Sequence, residues 1–119
     1  MFKILAFLKR KPGLSPEAFR EHYETRHLPL ARTTFPEIIN HRRNYVQAGA
    51  SHFPPSIGMP EWDAISEIWF ADRAGFESML ARLTEGTTTK AITDDELTFL
   101  DRDRCGMMVV DETTPGDAS

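Results

Sequence analysis

The sequence predicts an α+β fold, a split βαβ unit whose four-stranded antiparallel sheet carries both main helices on one face. Two observations carry this: apolar periodicity switches between strand and helix in the order β-α-β-β-α-(α)-β, and the first and last strands read as apolar on both sides. A chain of 119 residues, 40% hydrophobic and 27% charged, suffices for one compact core. We place that domain at residues 1–111 and a tail at residues 112–119, where Pro115 and Gly116 favour a loose end.

Residues 2–9 form a nearly unbroken apolar run that reads as a strand covered on both faces. Lys11-Pro12-Gly13-Leu14 ends it. Ser15 then suits a helix cap, Pro16 the first helical position and Glu17 the positive end of the dipole. The buried stripe of that helix is Phe19, Tyr23, His27 and Leu30, with Glu24 on the wet side and a kink permitted at Pro29. Residues 37–47 suit a second strand by β-branched and aromatic content, although its inner half is polar. Residues 48–62, rich in glycine and proline, read as a lid or a loose connection.

Residues 63–70 are the third strand, with Ile65, Glu67 and Trp69 on one face and Ala64, Ser66, Ile68 and Phe70 on the other. A second amphipathic helix follows Asp72, with Phe76, Met79, Leu80 and Leu83 at helical spacing. After a loop at residues 84–89, Thr93-Asp94-Asp95-Glu96 reads as a capping box that opens a short helix. Residues 105–111 close the sheet.

With both helices on one side, the other sheet face is bare, and an apolar face of that size is an association surface. A homodimer packed sheet to sheet is therefore expected, enclosing a barrel-like space roofed by the first helix. A plain hydrophobic interface without a pocket is the alternative.

The net charge of −4, with both signs interspersed, offers no basic stripe for nucleic acid. No run approaches the roughly 20 apolar residues needed to span a bilayer, and the apolar start precedes its basic residues, unlike a secretory signal. No membrane partner and a cytoplasmic location are expected. Cys105 is the single cysteine, so neither a disulfide nor a thiolate zinc site is expected, and its flanks read as a strand in which it packs as a small hydrophobe. The absence of a Gly-rich phosphate loop, G-x-S-x-G and C-x-x-C removes nucleotide-dependent, α/β-hydrolase and thiol-redox readings.

What remains is proton chemistry or ligand binding, with no cofactor and no metal expected. His22 and His27 are five residues apart, about 140° around a regular helix, so no shared metal is expected and His22 is placed at the helix rim. His27 continues the buried stripe and can act as a base or an acid, or be a core histidine bonded to a backbone carbonyl. On the second strand His41, Arg43 and Tyr45 share one face and Arg42, Asn44 and Val46 the other, and only one face looks inward. If the first set is inward, Tyr45 can transfer a proton and Arg43 can hold an oxyanion; if not, the arginines guard a sheet edge. Glu67 is either buried beside a partner such as Arg43 or His27, or exposed. His52, in the loop, could close over the pocket or be solvated.

Leu8-Lys9-Arg10-Lys11-Pro12-Gly13-Leu14-Ser15-Pro16-Glu17-Ala18-Phe19-Arg20, followed by Arg26-His27-Leu28-Pro29-Leu30-Ala31, resembles the EthD domain. The likeness continues at Asn44–Gln47, Asp63–Phe70 and Asp95–Asp101. The resemblance implies a ferredoxin-like fold paired into a dimeric α+β barrel. Similar barrels, among them methylmuconolactone methylisomerases and polyketide cyclases and dehydratases, do cofactor-independent acid/base work on ring compounds. The longer 37–47 segment leaves the register of His41, Arg43 and Tyr45 open.

The expected function is thus a cofactor-free lyase or isomerase, dehydratase- or cyclase-like, acting on a cyclic, aromatic or polyketide-like small molecule. His27 is the expected base, and His52 or Tyr45 the expected acid. Arg43, Glu67, Trp69 and His41 are expected to shape and polarise the pocket. A non-catalytic dimer that binds a hydrophobic metabolite or assists a partner enzyme, and a cofactor-free monooxygenase, are the alternatives.

Overall fold

The computed structural model describes residues 1–86 and 89–116; residues 87–88 of the expected 84–89 loop and 117–119 of the expected tail lie outside them. Four strands, β1 (Phe2–Leu8), β2 (Ile38–Tyr45), β3 (Ala64–Phe70) and β4 (Gly106–Val110), form one antiparallel sheet in the order β2-β3-β1-β4. Helices α1 (Pro16–His22), α2 (Leu28–Thr34), α3 (Arg73–Glu85) and α4 (Lys90–Phe99) complete the fold and pack on one sheet face. Among the described residues no helix is long and apolar enough to cross a membrane.

The caps follow the local chemistry. Ser15 accepts a hydrogen bond from the Ala18 N–H at 3.1 Å, with Pro16 opening α1. Asp72 does the same for the Gly75 N–H at 2.9 Å, and Gly86, at φ 86°, ends α3 in the left-handed conformation open to glycine.

Between α1 and α2 the chain widens into a π-helical turn, Tyr23–His27, in which the Leu28 N–H bonds the Tyr23 carbonyl. Pro29 has no N–H for the Thr25 carbonyl, so the turn before it relaxes to the longer spacing.

Helix α4 opens at Lys90 rather than at the expected capping box. Thr89 is buried, its hydroxyl donates to the Arg82 carbonyl at 3.2 Å, and Ile92 is fully buried in the core, which together extend the helix backward. Thr93, Asp94, Asp95 and Glu96 therefore lie inside a helix, free to reach across it.

Alternation divides the sheet. Ile4, Ala6, Ser66, Ile68 and Phe70 turn toward the helices and join Phe35, Phe76, Met79 and Ile92 in the core. In β2 a bulge at Ile39 shifts the pairing between Ile38↔Phe70 and Asn40↔Trp69. The extra residue lets Ile38 share the helix side with His41, Arg43 and Tyr45.

The uncovered face is less apolar than expected. Lys3 is 8% exposed there and pairs with Glu67 at 2.7 Å and Glu112 at 2.9 Å, while the Trp69 indole donates to Glu112 at 3.1 Å. Glu112, assigned to the tail, is thus docked on the sheet, where it gives the buried Lys3 a second counter-charge beside Glu67 and accepts from the Trp69 indole. Beside this network Phe7 packs on Trp62, and Met108 of edge strand β4 is 52% exposed.

Candidate active site

The helix-covered face, not the uncovered one, holds a cavity of about 450 Å³ within a single chain. The expected chamber lay between two sheets; here the gap lies between sheet and helices, bounded by Ala6, Ile68, Ala31 and Ile92. Small residues on β1 and α2 leave that space. Tyr23, His27, His41, Glu96 and Arg102 are among the polar residues of its wall.

His27 belongs to the π-helical turn. Its Nδ1 lies 2.9 Å from Asp95 Oδ2, and its side chain is 12% exposed. This bond leaves Nε2 as the nitrogen available at the cavity wall. His22 Nε2 lies 2.9 Å from the other oxygen, Asp95 Oδ1. The expectation that His22 and His27 diverge is corrected by the π-helical turn, whose one additional residue takes back about 100° of the roughly 140° separation. Phe99 packs beside both imidazoles, with ring centroids 4.6 Å from His22 and 4.9 Å from His27.

A second chain of bonds starts at Tyr23. Its hydroxyl lies 2.7 Å from Ser66 Oγ and 2.9 Å from His41 Nε2, so β3, the π-helical turn and β2 meet at one oxygen. Burial lowers the His27 pKa against the pull of Asp95, so the ring is neutral at pH 7. His41 is pushed down to about 4 by burial first and by the Arg43 charge next. Burial holds the Tyr23 hydroxyl above its ordinary range.

The other expected site residues fall elsewhere. Arg43 faces inward but is spent on Glu24, with Nε at 2.9 Å and Nη2 at 2.8 Å, and on the His41 carbonyl at 2.6 Å. The Arg43 hydrogen bonds are the main reason Glu24 falls to about 2. Tyr45 donates its hydroxyl to the same Glu24 and lies under the Arg20 guanidinium, so neither Arg43 nor Tyr45 lines the cavity. Both expectations are corrected by Glu24, which turns inward to them.

Glu67 and Trp69 lie across the sheet from His27, since alternation gives the cavity side to Ser66 and Ile68. Glu67 accepts from Lys3 and from the Asn44 amide at 3.0 Å instead. His52 is exposed in the 46–63 loop and does not line the cavity.

The groups missed by sequence reading are the Tyr23 hydroxyl, Ser66, Asp95 and Glu96. Ser66 had a signal, as the single hydroxyl on the buried side of β3. Glu96 lines the cavity with Arg102 Nε at 3.5 Å, and burial raises its carboxyl above the ordinary range. Cys105 also touches the cavity, but its thiol accepts from the Lys9 N–H at 3.3 Å and donates to the Asp101 carbonyl at 3.2 Å, and burial raises its pKa. Among the described residues no group of three or more His, Cys, Asp or Glu is placed to hold a metal ion.

Fold and site together define an α+β protein of the split βαβ type, with an intrachain cavity walled by a carboxylate-held histidine. Residues 11–103 match the EthD domain, and the chain belongs to that family. Solved structures agree on the fold. An ethyl tert-butyl ether D (EthD) family protein from Bacillus halodurans is 22% identical with a TM-score of 0.61, over 95% of this chain and 100% of that one. The Arabidopsis thaliana protein At3g17210 is 15% identical at 0.64, over 96% and 97%, and HapK from Hahella chejuensis 12% identical at 0.61, over 100% and 99%. No curated protein matches the sequence.

Proposed function

We propose that this EthD-family chain is a cofactor-independent acid/base catalyst, a lyase or isomerase of dehydratase or cyclase type, that enolises a cyclic, aromatic or polyketide-like small molecule. The observation that carries the proposal is His27: its Nδ1 is fixed on Asp95 at 2.9 Å while the ring lines an apolar cavity of about 450 Å³. Asp95 sets the tautomer that leaves Nε2 unprotonated, and burial keeps the ring neutral, which is the form a base requires. The cavity volume suits a small ring system. Tyr23, gripped by Ser66 and His41, presents a neutral hydroxyl to the oxygen on which enolate charge collects.

The test is exchange of α-carbon protons into D2O, followed by proton NMR, on a panel of cyclic ketones and polyketide-like diketones. Wild-type protein is expected to exceed the buffer rate on at least one of them, and His27→Ala to lose about 10²-fold or more of that gain. Equal rates for the two proteins would overturn the assignment. We also propose a homodimer through the uncovered sheet face, which sedimentation at micromolar concentration tests. A lone protomer would remove the dimer and leave the cavity chemistry standing, since one chain supplies it.

A further inference from the structure

One partly buried ionisable group on the cavity wall, Glu96, has no part in enolisation. Glu96 follows Asp95 directly on α4, so the carboxylate that holds His27 and the carboxyl that lines the cavity are successive residues of one helix. Successive helical side chains diverge by about 100°. Asp95 accordingly reaches across to the π-helical turn, and Glu96 takes the cavity. Among the described residues its one charged partner is Arg102, at 3.5 Å and too far for a good hydrogen bond.

We propose that Glu96 is the general acid of this site, and that the reaction it serves is elimination of water from a cyclic β-hydroxycarbonyl compound. The inference rests on the reading of His27 as the base. Isomerisation by a single base returns the proton it took and needs no second carrier, whereas dehydration needs a base at one carbon and an acid at the hydroxyl of the next. Two proton carriers placed by neighbouring residues suit that geometry.

In the step, His27 Nε2 takes the proton from the carbon next to the carbonyl. The C–O bond at the β-carbon then breaks, the carbon–carbon double bond forms, and the departing oxygen takes the Glu96 proton and leaves as water. Solvent resets the pair by removing the proton from His27 and returning one to Glu96.

Other groups on the wall do not fit the role. Tyr23 can donate a hydrogen bond but is too weak an acid to give up its proton, His41 with its pKa pushed down to about 4 holds no acidic proton near neutrality, Arg102 does not release a proton, and the Cys105 thiol is held by backbone. Burial keeps the Glu96 carboxyl protonated further toward neutrality, opposed by Arg102 and helped by the Asp95 charge.

The experiment uses a β-hydroxytetralone whose dehydration gives a naphthol, followed by absorbance for elimination and by NMR in D2O for α-proton exchange. Wild type is expected to do both. Glu96→Gln is expected to keep exchange within about threefold and to lose elimination by about 10² or more, while His27→Ala loses both. Should Glu96→Gln not fold, Glu96→Asp keeps the acid at shorter reach and is expected to slow elimination with exchange intact. Elimination by Glu96→Gln at the wild-type rate, a parallel fall of exchange and elimination, or wild-type exchange without elimination would each overturn the role of Glu96. A wild type that neither exchanges nor eliminates would bring down the reading of His27 itself.

Discussion

The two faces of the sheet both carry polar groups, yet use them in opposite ways. On the uncovered face Lys3, Glu67, Glu112 and Trp69 satisfy one another in a closed network of charges. On the helix-covered face His27, His41 and Tyr23 are neutral, and His27 keeps one ring nitrogen toward a cavity. Charge that is already neutralised has nothing to offer a substrate; a neutral base held by a carboxylate does. The contrast is why the proposed chemistry is placed on the helix side and the proposed dimer contact on the other.

The strongest way to break this contrast is acid. His41 falls from an ordinary 6.5 to about 4 in the folded chain, so the unfolded chain binds the extra proton first. Stability from this group is complete above pH 6.5 and is lost as pH falls toward 4, by about 3 kcal/mol in total. Urea denaturation of wild type and His41→Gln at neutral pH and at the acid end of that window should show the variant losing clearly less; equal losses would mean His41 is protonated without cost.

A smaller effect, about 10-fold in turnover and so about 1.4 kcal/mol, is expected for Asp95→Asn, which keeps the shape and loses the charge that sets the His27 tautomer. It should also move the acid limb of the rate profile further down, because Asp95 raises the His27 pKa. An unchanged limb would separate Asp95 from the base. Glu67→Gln should do least: turnover within twofold and stability lower by about 1 kcal/mol or less, since Lys3 retains Glu112. A large loss of turnover would bring the uncovered face into the chemistry.

Much of the fold could be read from the chain because apolar periodicity is local: Phe19, Tyr23 and His27 share one stripe, and Phe76, Met79 and Leu83 another. His27 was legible for the same reason. Its partner was not, because Asp95 lies 68 residues on and carried a sufficient local explanation as part of a capping box. Glu24 shows the same blindness in reverse. Its position on the helix placed it in water, whereas Arg43 and Tyr45 draw it inward and are themselves withdrawn from the cavity. Alternation placed Glu67 and Trp69 together, but only the tertiary pairing tells which side of a strand faces the helices.

The widened turn at Tyr23–His27 makes the site a matter of phase. In a regular helix through these residues the His27 imidazole would stand about a quarter-turn away from Asp95. Foldedness and the proposed competence are thereby separable at one turn of the chain. A lineage of this domain without the widened turn would lack the proposed chemistry and still keep its architecture.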